Sequence, residues 1–179
     1  MERDMVNNVL KAWTSRHASS PLFDYSKFKY WKEAYQLIVQ HRSNMNEELE
    51  PVGKIFGTLK SVNDFVLYDY ESYDYEDCRE DMRTLAETYS DLIVKDSFFS
   101  VVEVEATMLK KDFHNQGVGL SMYLNFAKRM WSVNGNKPFI FIPNYCNMGS
   151  TSTEARRVWA SLARTFPSSG DCLAILREP

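Results

Sequence analysis

Two acidic side chains and a glycine turn carry the chemistry that this chain can be expected to do. Glu103 and Glu105 alternate in the run Val101-Val-Glu-Val-Glu-Ala-Thr-Met-Leu109, and His114-Asn-Gln-Gly-Val-Gly119 follows a few residues later. In a regular strand, period two puts Glu103, Glu105, Thr107 and Leu109 on one face and Val102, Val104, Ala106 and Met108 on the other. Burial and mutual repulsion would then raise the pKa of one carboxyl towards neutrality, the condition of a general base. The glycine turn implies something different. Where a loop opens a helix, a row of backbone N–H groups binds phosphate without needing a basic side chain. Glycines at 117 and 119 would let that backbone approach closely, with no Cβ in the way.

The elements around these residues follow from hydrophobic spacing. Residues 98–109 read as a long strand, and 118–131 as a helix with Leu120, Tyr123, Leu124, Ala127 and Trp131 in register, stopped by Asn134-Gly135-Asn136. Residues 139–142 form a short, wholly apolar strand of the kind covered on both faces. Residues 151–164 read as a helix whose Thr151-x-x-Glu154 start fits a capping box, and 173–176 as a terminal strand. Upstream, residues 4–16 and 26–42 carry apolar positions at helical spacing, the second with Phe28, Trp31, Tyr35, Leu37 and Ile38. Residues 43–51 read as a loop, 54–59 and 65–70 as a hairpin turning near Asn63-Asp64, and about 77–92 as a helix. The expected fold class is α/β (α+β), a mixed, mainly antiparallel central sheet flanked by helices. A single domain over 1–179 is expected, divided into helices and hairpin (1–97) and a C-terminal half (98–179).

Composition narrows the partners. A formal charge of −3 argues against nucleic acid, which calls for a strongly basic face. The three cysteines and three histidines lack metal or disulfide spacing, so no metal is expected. No apolar run approaches a membrane span and no signal peptide is visible, so a cytoplasmic, membrane-free protein is expected. The acidic, tyrosine-rich run over residues 69–81 could guide a cationic acceptor.

The loop His114-Asn115-Gln116-Gly117-Val118-Gly119 resembles the pyrophosphate-binding loop of the GNAT superfamily of acetyl-CoA-dependent N-acyltransferases, whose motif is Arg or Gln, two residues, Gly, any residue, then Gly or Ala. Gly117 and Gly119 match, and His114 replaces the preferred first residue. Ser152-Thr-Glu-Ala155-Arg-Arg-Val-Trp159 is similar to the family's late Asn-x-x-Ala-x-x-x-Tyr, with serine for asparagine and tryptophan for tyrosine. The likeness spans roughly residues 98–176 and makes 98–179 an acyl-CoA-binding half.

What the resemblance implies is specific. Acetyl-CoA would be the co-substrate, held by Met108 and Leu109 on the strand, by His114, Asn115, Gln116, Gly117, Val118, Gly119 and Leu120 in the loop, and by Ser152. Lys110, Lys111, Arg156 and Arg157 could meet the remaining phosphate charge. Glu103 would be the general base, with Glu105 second. Trp159 has no titratable proton, so the proton donor would be Tyr145, or else Cys146 or Tyr123. The acceptor would be a primary amine on a small molecule, peptide or protein. The altered motifs equally suit a GNAT-like protein that has lost catalysis and serves binding or assembly, as an oligomer or with a protein partner. Compact proteins of this kind look similar to ones in tailed-phage genomes, which would place the chain in host cytoplasm or virion.

Overall fold

The computed structural model describes residues 20–61, 100–137, 139–143, 152–164, 166, 168–169 and 172–175. Among the described residues, seven strands form one sheet: β1 (Phe23–Trp31), β2 (Ala34–His41), β3 (Glu50–Ser61), β4 (Ser100–Leu109), β5 (Phe139–Pro143), β6 (Ser168–Ser169) and β7 (Cys172–Ile175). Their order across the sheet is β1-β2-β3-β4-β5-β7-β6. All neighbours run antiparallel except β4 and β5, which are parallel. A parallel pair needs a long crossover, and helix α1 (Val118–Val133) supplies it. Helix α2 (Thr153–Ala163) follows β5 and packs on α1. The chain is therefore α+β with a mixed, mostly antiparallel sheet. Among the described residues no helix is long and apolar enough to cross a membrane.

The helix expected over residues 26–42 is instead the β1–β2 hairpin. Phe28, Trp31, Tyr35 and Ile38 fit a helical stripe, but Tyr35, Leu37 and Val39 also alternate, and the segment is rich in aromatic and branched residues that favour strands. Pairing decides the matter: β2 lies between β1 and β3, and Leu37 and Val39 are completely buried. The turn is Lys32-Glu33, both with positive φ (48° and 65°). Lysine and glutamate seldom adopt that conformation, so no turn signal marks the place. The expected loop at 43–51 is shorter, because β3 already begins at Glu50. The readings for residues 4–16, 65–70, 69–81 and 77–92 lie outside the described residues.

The core sits between the sheet and α1. Phe126 on α1 is wholly buried and meets Phe28 and Phe141 at ring-centroid distances of 6.3 and 6.4 Å. It lies directly over Gly57 of β3, where a Cβ would fall 2.9 Å from the Phe126 ring and 2.6 Å from the Glu103 carbonyl oxygen. The absent side chain is what lets α1 come down onto the strands. This contact fixes the height of α1, and so where its N-terminus stands relative to the end of β4.

Candidate functional site

A β-bulge in β4 rearranges the two carboxylates. Gly57 pairs with Val104 and Phe56 with Ala106, so Glu105 has no opposite number on β3. An extra residue reverses the alternation beyond it. Before the bulge, Val102 and Val104 face α1 and belong to the core, which leaves Glu103 on the opposite face beside its register partner Thr58. After it, Thr107 and Leu109 face α1: the Tyr123 hydroxyl donates to Thr107 Oγ1 at 3.4 Å, and Leu109 packs on the core. The expectation that Glu103, Glu105, Thr107 and Leu109 share one face is thus corrected, since period two does not run through a bulge. Glu103 is buried, and its Oε2 accepts from Lys60 Nζ at 2.7 Å. Glu105 is exposed.

The bulge lies where β4 parts from β5. Their ladder runs from Ser100↔Phe139 to Val104↔Pro143 and stops, whereas β4 stays paired with β3 as far as Leu109↔Gly53. From Glu105 to Leu109, β4 has no strand on its β5 side among the described residues.

The glycine turn closes over the end of that segment. A 3-10 turn at Lys111–Phe113 leads to Asn115 (φ 59°) and Gly117 (φ 79°), and Gly117 is the N-cap of α1. The first donation into the helix is from Ser121 N–H to Gly117 O at 3.0 Å, and no side chain caps this end. The amides of Val118, Gly119 and Leu120 therefore precede the helical ladder, with the positive end of the helix dipole behind them. Side chains hold the loop from outside. His114 Nε2–H donates to the Leu109 carbonyl at 3.0 Å, Gln116 donates to the Asp112 carbonyl at 2.6 Å, and Arg157 on α2 donates to Asn115 Oδ1 at 3.4 Å.

Loop, strand end and α2 enclose a cleft of about 600 Å³. Thr107, Met108 and Leu109 form its β4 wall; His114, Asn115, Gly117, Gly119 and Leu120 bring the loop and the first turn of α1 to it; Ser152, Ala155, Arg157, Val158 and Ser161 close the α2 side. Gly119 is bare by choice of residue, not by packing. A Cβ there would meet Val158 at an ordinary 3.5 Å.

Two titratable groups with shifted pKa values, Tyr123 and Glu154, also line the cleft. Tyr123 is 3% exposed, and burial pushes its phenol above the ordinary value against the opposing Thr107 and Trp159 hydrogen bonds. Trp159 stands edge-on to it, with ring centroids 5.4 Å apart. Glu154 brings a negative charge. Its own backbone N–H first, then the Ser152 hydroxyl, hold its carboxyl below the usual range, and His114 and Arg157 add to the effect. The α2 cap is Ser152, whose Oγ accepts from Ala155 N–H at 3.2 Å, in place of the expected Thr151 start.

Of the residues expected to hold a cofactor, Met108, Leu109, His114, Asn115, Gly117, Gly119, Leu120 and Ser152 converge on one cleft. Val118 is buried beneath it and Gln116 braces the loop. Glu103 and Glu105 do not line it, and Arg157 alone among the four expected cations does. Tyr145 and Cys146 lie outside the described residues. Thr107, Glu154 and Val158 were not anticipated; for Thr107 the missing signal is the bulge, which turns it from the expected carboxylate face to the cleft. Comparison with protein-family models, curated proteins and solved structures finds no match to this chain.

Proposed function

We propose that this chain is an acyltransferase that moves an acetyl group from acetyl-CoA to a primary amine of a small molecule, peptide or protein. One observation carries the reading: the start of α1, whose first amides have no side-chain cap, lines the same cleft as the end of β4, which among the described residues has no strand on its β5 side. The first suits a diphosphate and the second offers main-chain groups to an extended amide-bearing arm. Apolar Leu109, Leu120 and Val158 would exclude water along that arm. The thioester supplies the activated acyl group. Glu103 would take the proton from the attacking amine, and Tyr123, a cleft-lining phenol that burial keeps protonated at neutral pH, would give one to the departing sulfur.

Gly119→Ala tests the cradle without disturbing the fold. The protein leaves room for the methyl, and alanine in a helix is worth up to about 1 kcal/mol over glycine. Calorimetry should show coenzyme A binding weakened about tenfold or more, with Tm unchanged or higher. Unaltered affinity in that variant would retire the assignment.

A second reading keeps the fold but drops the turnover, leaving a GNAT-like binding or assembly protein. The ion pair between Glu103 and Lys60 and the tryptophan at 159 favour it, since one occupies the base and the other replaces an acid. Thiol release with a panel of amines separates the two.

A further inference from the structure

The Lys60–Glu103 pair lies at a particular place in the sheet. Glu103 occupies the position before the last β4–β5 pair, Val104↔Pro143, and projects on the face away from α1. Beyond that pair, among the described residues, nothing on β5 closes the sheet, and the cleft reaches Thr107 just past this point. A group extended through the end of the ladder from the cleft would emerge beside Glu103. The amine already there is Lys60 Nζ, 2.7 Å from the carboxylate, on a side chain that is 41% exposed. Thr58, the register partner of Glu103 on the same face, has a buried hydroxyl with no hydrogen-bond partner. Buried orphan hydroxyls are costly, so this face of the sheet beside Glu103 carries an unmet hydrogen-bonding demand.

We infer that Lys60 is itself an acyl acceptor, a self-modification site of this protein. The inference rests on the cleft being an acyl-coenzyme A site. Glu103 takes a proton from the Lys60 ammonium, and the freed amine forms a C–N bond to the thioester carbonyl carbon. The C–S bond breaks, and coenzyme A leaves as the thiol with the second amine proton. Glu103, left protonated, gives its proton to water; the product is a neutral amide at Lys60 that can no longer form an ion pair with the regenerated carboxylate, which is then open to an external amine. The Lys60–Glu103 contact is then the resting, self-occupied form of the acceptor site.

The experiment is incubation of the full chain with acetyl-CoA, followed by peptide mass spectrometry, with coenzyme A binding measured separately by calorimetry. Lys54 on the same strand face and the urea-unfolded chain provide internal references. Acetylation at Lys60 should be at least about tenfold faster than at Lys54 or in the unfolded chain, and Glu103→Gln should slow it by a similar factor. Coenzyme A bound with Lys60 unmodified, or modified no faster than Lys54, overturns the inference and leaves the cleft reading standing. Failure to bind coenzyme A removes both.

Discussion

At the scale of single residues, the cleft contains one side chain that opposes its proposed ligand. Glu154 is an exposed carboxylate held ionised at the α2 N-terminus, facing the same space as the amides of the glycine turn. A diphosphate entering that space meets it as a like charge, offset by Arg157 and the helix dipole. Glu154→Gln should tighten coenzyme A binding about twofold to fivefold at low salt, with the gain fading as ionic strength rises. Calorimetry at two salt concentrations reads this directly, and equal affinities for variant and parent would place the phosphates away from Glu154. The glycines and the strand-to-helix order were legible because a tight turn at a helix start demands particular residue types. Glu103 was legible as an unusual acid in an apolar run, but its ion pair was not. Lys60 and Glu103 are brought together only by the β3–β4 register.

The same distinction holds among the elements. β4, α1, β5 and α2 could be located because each is a distinct apolar or amphipathic run set off by polar residues, such as Asn134-Gly135-Asn136 after α1. The β1–β2 hairpin was not, since its aromatics satisfy a helical and an alternating pattern together and only contact with β3 decides. The bulge at Glu105 has no sequence mark, because it is a mismatch between two strands and belongs to neither alone. Gly57 is where this matters for stability. It sits within the wall that β3 presents to α1, one step from the bulge, where a methyl group would strike both a main-chain oxygen and the Phe126 ring. Neither is a flexible side-chain end that can swing aside. Gly57→Ala should therefore cost about 3 kcal/mol, the upper part of the range for overpacking, seen as a lower urea midpoint at unchanged slope. A variant as stable as the parent would mean that α1 is not seated on β3 through Phe126.

For the molecule as a whole, two tyrosines set how the fold responds to alkali. Tyr25 on β1 is 8% exposed; burial raises its phenol from 10.0 to about 12, slightly opposed by the Ser121 hydroxyl on α1. Tyr123 is shifted in the same direction for the same reason. Below pH 10 both phenols are protonated whether the chain is folded or not, and they impose no pH dependence. Above pH 10 the unfolded chain releases its protons first, so the folded state loses stability until the folded pKa is passed. For Tyr25 the window is pH 10 to about 12, and its two units correspond to a loss on the order of 3 kcal/mol. Lysines titrate in the same range, so the informative quantity is a difference between proteins. Guanidinium unfolding of the parent and of Tyr25→Phe between pH 9 and 11.5 should give a shallower decline in the variant, by up to about 1.4 kcal/mol per pH unit. Parallel declines would mean that the phenol is reached by water in the folded chain. β1 would then not be sealed against α1, and the outer hairpin would be an appendage to the sheet instead of one wall of its core.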